Sequence, residues 1–361
     1  MTLYQGGFMN KYPFREAEEL RELEVYPKFP MPYGEPGAVI RRFNTPITPK
    51  ENFERMCNGE GPLWIPNYYV DFNFIQPLAM KDAVARWHGG EDWFGIEWQY
   101  EPLTNSAMVK PGTRRLSDIT NWEEELEFPD LNAIDWQKNY DEEYKGKISP
   151  DRPTMFVIVN GLFERTADLT SFEDAFCYLL EEPEALHAFY TKLTEWHIQL
   201  IRIAREIYGA DVITFHDDMG TQRSPFFATK LYREILLPHY KRMTDAAHEM
   251  GLRVISHSCG CIESHVSSII DAGFDGWEGQ DNSNDKQMTM DVYGDRLFQS
   301  SIFVPAPDMP EEEALAELER MVNALGPKGR FMIWLNTLNE PYLTKGSELI
   351  YKLSRKMYSG D

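Results

Sequence analysis

The sequence predicts an α/β fold, a single (β/α)8 barrel with an N-terminal extension, and three observations carry that expectation. Short apolar runs alternate with longer amphipathic segments from about residue 150 onward. No G-x-G-x-x-G turn follows any of those runs, which weakens a dinucleotide-binding open sheet, the alternative α/β architecture. Polar, reactive side chains gather where the apolar runs stop, as they do at the C-terminal face of a parallel barrel.

Taken in order, residues 1–47 are rich in Pro, charge and aromatics without clean periodicity and are read as the extension, with the barrel spanning 48–361. "PLWIPNYYV" (62–70), and 93–98 after it, supply the early strands. The stretch 100–150 again lacks a period and reads as an elaborated loop region over the barrel mouth. "TMFVIVNG" (154–161) is a buried strand. Leu186, Phe189, Tyr190, Leu193, Leu200, Ile201, Ala204 and Ile207 then recur at helical spacing. "DVITFHDD" (211–218) is the next strand and 228–250 the next helix, ended by Gly251. "RVISHSCG" (253–260) precedes a short helix around Val266, Ile269 and Ile270, stopped at Gly273. "DGWEGQ" (275–280), "RLFQSSIFV" (296–304), a helix at 311–325 closed by Gly326, "RFMIWLN" (330–336) and a last helix near 346–358 complete the alternation. Such repeats fold with right-handed crossovers into a parallel sheet.

Composition excludes more than it identifies. Hydrophobic residues at 42% and charged residues at 26% describe a globular protein. The net charge of −22 repels phosphate backbones, so no nucleic acid is expected. No run approaches the ~18 apolar residues of a membrane span. The start "MTLYQGGFMNKYPF" lacks the basic-then-apolar layout of a signal peptide, so a cytoplasmic location is expected. Cys57, Cys177, Cys259 and Cys261 then read as core thiols or metal ligands rather than disulfides.

The ends of successive strands carry Asn160 with Glu164-Arg165, then His216-Asp217-Asp218, His257 and Cys259, Glu278 and Gln280, and Asn336 with Glu340. Residues i and i+2 of a strand share a face, so His257 and Cys259 can meet one ion. Zinc takes imidazole nitrogen at ~2.0–2.1 Å and thiolate sulfur at ~2.3 Å. Glu278, on the next strand, is the expected third ligand, and an open fourth position would mark a catalytic site. The structural alternatives are a core histidine with small buried thiols, an Asp217-Asp218 cap, and a Glu278–arginine pair. They do not account for the clustering on strand ends.

"ENFERMCNGEGPLWIPNYY", "NGLFERTADLTSFEDAFCYLLEEPEAL", "FHDDMGTQRSPFF" and "HSCGCIESHVSSIIDAGFDGWEGQ" resemble, in order, segments of the uroporphyrinogen decarboxylase superfamily over roughly residues 48–360. That resemblance implies a (β/α)8 barrel. The paired arginines of the tetrapyrrole-decarboxylating members, P-x-W-x-M-R-Q-A-G-R, have no counterpart in "VYPKFPMPYGEPGAVIRRF". "HSCG" and "HDDMGTQRSPFF" look instead like the corrinoid-dependent O-demethylases acting on methoxylated aromatics. The thiol-methylating members complete a zinc site with a late cysteine, whereas this chain has none after Cys261. Either Glu278 or Glu340 takes that place, or no metal is bound. The resemblance implies a methyl group moving from an aryl ether to the Co(I) corrinoid of a partner protein, since no D-x-H-x-x-G segment occurs here. In that scheme His216, Asp217 or Asp218 protonates the leaving oxygen or orients a ligand, Asn160, Gln280 and Asn336 bind substrate, and His257, Cys259 and Glu278 hold zinc.

Overall fold

The structure, a computed structural model, describes residues 12–28, 30, 32, 40–103, 106–306, 308–335 and 342–359. Short runs of β-branched, aromatic and small residues form one sheet of seven strands: β1 (Asn73–Ile75), β2 (Thr154–Ile158), β3 (Val212–His216), β4 (Arg253–Ser258), β5 (Gly276–Gly279), β6 (Phe298–Phe303) and β7 (Phe331–Leu335). Neighbours in the sheet are neighbours in the chain, and every pairing is parallel. β1, β2 and β5 are buried along their whole length, as expected where helices cover one face and the strands curl around the other. The fold is therefore α/β, a curled parallel sheet of the (β/α)8 barrel kind.

The early strands fall elsewhere than expected. Residues 62–70 form a loop and a short helix, Tyr68–Asp71, rather than a strand. Pro66 has no N–H for a ladder, and the Asp71 carboxylate accepts the Asn67 N–H at 2.7 Å. That loop still serves the barrel. Ile333 of β7 donates to the Pro66 carbonyl at 2.9 Å and Asn67 bridges Ile333 in parallel, so the segment before β1 covers the far edge of β7. Nor does 93–98 join the barrel. Glu97–Glu101 lies in a separate antiparallel sheet with Gly90–Glu91 and Ser106–Val109. Within Glu97–Glu101 only Trp98 is buried, the pattern of a strand with one solvated face.

Later elements follow the periodicity. The helix Pro183–Glu206 buries Leu186, Phe189, Tyr190, Leu193, Leu200, Ile201 and Ala204. The helix expected over 228–250 is interrupted by a π turn at Tyr232–Leu236 before the α-helix Leu237–Glu249, whose Pro238 has no N–H to give the preceding turn. No helix among the described residues is long and apolar enough to cross a membrane.

Register is what positions the site. His216 pairs with His257, His257 with Glu278, and Glu278 with Ser300 across β3, β4, β5 and β6. Partners in a parallel ladder project to the same side, so these residues form one polar row across the barrel.

Candidate active site

The two histidines stack at 4.3 Å between ring centroids, with planes 14° apart. Each is backed by a buried carboxylate: His216 Nδ1 lies 2.8 Å from Glu164 Oε2, and His257 Nδ1 lies 2.6 Å from Glu278 Oε1. A carboxylate on Nδ1 sets the tautomer that leaves the Nε2 lone pair on the other side of the ring. There His216 Nε2 is 3.6 Å from Asp218 Oδ1, His257 Nε2 is 3.9 Å from the same oxygen, and Cys259 Sγ is 3.7 Å from His257 Nε2. Among the described residues, His216, Asp218, His257 and Cys259 each offer one ligand atom, all within 4.8 Å of one another. Donors held at ~2.0–2.3 Å from one ion stand no more than about 4.6 Å apart, so the three measured separations fit a single metal.

Electrostatics supports the carboxylate backing. Burial works against charging His216, but Glu164 and Asp218 outweigh it and raise its pKa to about 9. For His257, burial and the neighbouring His216 are outweighed by Cys259 and Glu278, again to about 9. Glu164 is held well below the carboxylate range: burial would raise it, and Arg86 and His216 overcome that. Glu278 is also lowered, burial being outweighed by His257.

Glu278 was expected as the third ligand. The structure places its carboxylate behind His257, with Oε2 accepting from Ser300 Oγ at 3.2 Å, and puts His216 and Asp218 beside Cys259 instead. Asp217 also sits apart from its neighbours. At 2% exposure it accepts the Phe163 and Glu164 N–H groups at 3.0 and 2.8 Å and the Tyr240 hydroxyl, at the start of the helix Leu162–Leu169. Burial raises its pKa to about 7. Gly161 is required there, because a Cβ would lie 2.5 Å from Asp217 Cβ. Asn160 has a left-handed φ of 60° and is fully buried, donating to Asp168 rather than lining the cavity. Gln280 does line it, while its Oε1 accepts from Gly260 N at 3.0 Å. Asn336 and Glu340 lie outside the described residues. Cys261 follows the tight turn at Gly260, whose φ is 80° and whose Cβ would strike the Gly220 carbonyl; its N–H donates to Thr221 O at 2.7 Å.

The cluster opens into a cavity of about 700 Å3 at the C-terminal ends of the strands, with Tyr68, Phe74, Trp87 and Trp334 among its walls. Tyr68 and Trp334 stack at 5.6 Å and 23°. Sequence reasoning passed over Arg86, Gln76 and Tyr68, because the first strand was placed too early in the chain. Placing it at 73–75 would have set Gln76 at a strand end. Arg86 donates to Glu164 Oε1 at 3.0 Å and so supports the His216 side of the cluster.

A model of the family described as uroporphyrinogen decarboxylase (URO-D) matches residues 94–330. No curated protein gives a significant match. Among solved structures, the chain is similar to a methyltransferase from Methanosarcina mazei, with a TM-score of 0.61 at 15% identity, covering 87% of this chain and 99% of that one. This likeness concerns the fold. Weaker similarities reach an AP endonuclease, family 2, from Brucella melitensis (TM-score 0.36, 9% identity, 61% of this chain and 84% of that one). A dihydropteroate synthase from Xanthomonas albilineans follows (TM-score 0.31, 13% identity, 56% of this chain and 66% of that one).

Proposed function

The chain belongs to the uroporphyrinogen decarboxylase family, and from that premise we propose a methyltransferase that takes a methyl group from a methoxylated aromatic held in the cavity. The acceptor in this reading is the Co(I) corrinoid of a separate protein docking over the barrel mouth. The observation that carries the reading is the convergence of His216, Asp218, His257 and Cys259, with both histidines backed by buried carboxylates, on a cavity with aromatic walls.

Zinc held among these four residues, with one position left open or a fifth one taken up by the ether oxygen, would act as a Lewis acid there and stabilise the phenolate leaving group. One thiolate, one carboxylate and two neutral imidazoles carry −2, which balances the ion. Glu164 and Glu278 hold the two rings in the tautomer that presents Nε2. Asp218 accepts the Cys259 N–H at 2.6 Å, which fixes the turn that delivers the thiol. The rings of Tyr68, Phe74, Trp87 and Trp334 suit a flat substrate and keep water from the ether. Arg86 is the one Lys or Arg lining the cavity among the described residues, which does not suit a polyanionic tetrapyrrole.

Elemental analysis of the purified protein should find about one zinc per chain. Cys259→Ala should lose both the zinc and methyl transfer from a methoxybenzene to a reduced corrinoid protein. Full activity without metal, or in Cys259→Ala, would sink the zinc-assisted mechanism. Faster methylation of a thiol than demethylation of any aryl ether would move the reading to thiol methyl transfer.

A further inference from the structure

Three arginines are buried among the described residues, Arg152, Arg165 and Arg355. Arg165 meets Asp82 and Asp92, and Arg355 meets Glu19. Arg152, at 4% exposure, has no carboxylate at ion-pair distance among the described residues. Its Nη2 donates to the carbonyls of Tyr69, at 2.9 Å, and Phe72, and its guanidinium lies over the Tyr26 ring at 4.1 Å. Nε is buried without an acceptor, and Nη1 makes no hydrogen bond among the described residues. Burial lowers its pKa to about 10, against the pull of Tyr26 and Asp71. A buried cation left with unused donors and no counter-charge is costly, and calls for a partner.

Arg152 lines a cavity of about 330 Å3 at the end of the barrel opposite the cluster, where Thr154 begins β2 and Asp211 precedes β3. The other charges there are already engaged or solvated. Lys50 and Asp211 meet at 2.8 Å, Asp211 also accepts the Thr154 N–H at 3.0 Å, and Glu206 is exposed to water. Tyr140 and Ser149 line the same cavity, and their hydroxyls make no hydrogen bond among the described residues. Ile148, Ile207 and the Tyr208 ring supply apolar wall. A guanidinium with unused N–H groups beside two hydroxyls is an arrangement that recognises an oxoanion. Glu206 in the lining and the net charge of −22 favour an anion that carries a single charge.

We propose that this cavity binds a small organic acid, with its one carboxylate on Arg152 and its apolar body against Ile148, Ile207 and Tyr208. The site lies apart from the cluster and is independent of the chemistry assigned there.

Calorimetry with butyrate and its neutral counterpart butyramide, titrated into the protein as purified, tests the site. Hydrogen bonds to a charged group should make butyrate about tenfold tighter or more. Arg152→Met should erase that preference and leave the metal content per folded chain unchanged. Tyr140→Phe, which keeps the ring and removes one hydroxyl, should weaken butyrate several-fold, and it decides the matter if Arg152→Met does not fold. Equal binding of the two probes, binding of neither, or a preference untouched by both substitutions overturns the site. The last of these is what capture of butyrate at the cluster would produce. Inorganic phosphate binding as tightly as butyrate would overturn the assignment to an organic acid.

Discussion

Two buried ionic assemblies in this molecule look alike in composition and differ in how completely their atoms are matched. In the first, Arg355 is fully buried and donates to Glu19 from Nε at 2.7 Å and from Nη2 at 2.9 Å. Its remaining contacts are the carbonyls of Leu63, Tyr12 and Pro13, and Tyr351 adds its hydroxyl to Glu19 at 2.7 Å. Donors meet acceptors throughout, and the result ties the N-terminal segment to the helix Tyr342–Ser359. In the second, Glu164 and Glu278 satisfy only the Nδ1 side of His216 and His257. The other side turns imidazole nitrogen, thiol sulfur and carboxylate oxygen toward one another, a set of electron-pair donors. Matched donors and acceptors mark scaffold, and convergence of several electron-pair donors on one point marks a site.

The largest effect should come from breaking the saturated assembly. Arg355→Met leaves the Glu19 carboxylate buried without its cation and should cost about 3–5 kcal/mol in urea denaturation. Zinc content per folded chain should stay unchanged. Glu278→Gln sharpens the contrast from the other side. It keeps the volume and the bond to Ser300 but loosens the hold on His257, so metal affinity should fall about 10–100-fold in competition with a chelator. The urea midpoint should move little. If instead Glu278→Gln unfolds the protein and leaves its metal affinity intact, the carboxylate belongs to the scaffold.

The smallest effect is acid release of the N-terminal segment. Burial alone would raise Glu19, but the hydrogen bonds from Arg355 and Tyr351 overcome it and hold the group below its ordinary 4.5. A lowered carboxylate contributes stability above that ordinary value and loses it as pH falls through the folded value. Hydrogen exchange of residues 12–26 should therefore rise between about pH 5 and pH 3 before the barrel strands respond. Simultaneous exchange of both regions would show that the segment has no separate opening.

Much of this was legible from alternation. Six of the seven strands fall in the runs read from the sequence, five of them ending in polar residues, and period two places His216 with Asp218, and His257 with Cys259, on shared faces. The same rule puts Asp217 on the other face, where it anchors the helix that starts after Gly161. The first strand was harder to place because Asn73–Ile75 is short and follows a loop as apolar as itself. The antiparallel sheet at 90–109 was hidden for a different reason: only one of its faces is covered, so its apolar pattern is weak.

By itself, then, the sequence determined the order of strands and helices from about residue 150 onward and most of the residues at those strand ends, because both follow from local periodicity. It could not determine which carboxylate stands behind which histidine. Glu278 is behind His257 because β4 and β5 pair them in register. Glu164 reaches His216 because Asp217 fixes the start of its helix beside β3. Arg86 and Gln76 face the cavity because the chain before β1 closes on β7 and brings that corner to the mouth. These are relations between distant segments, set by ladder register and barrel closure, and no local pattern encodes them.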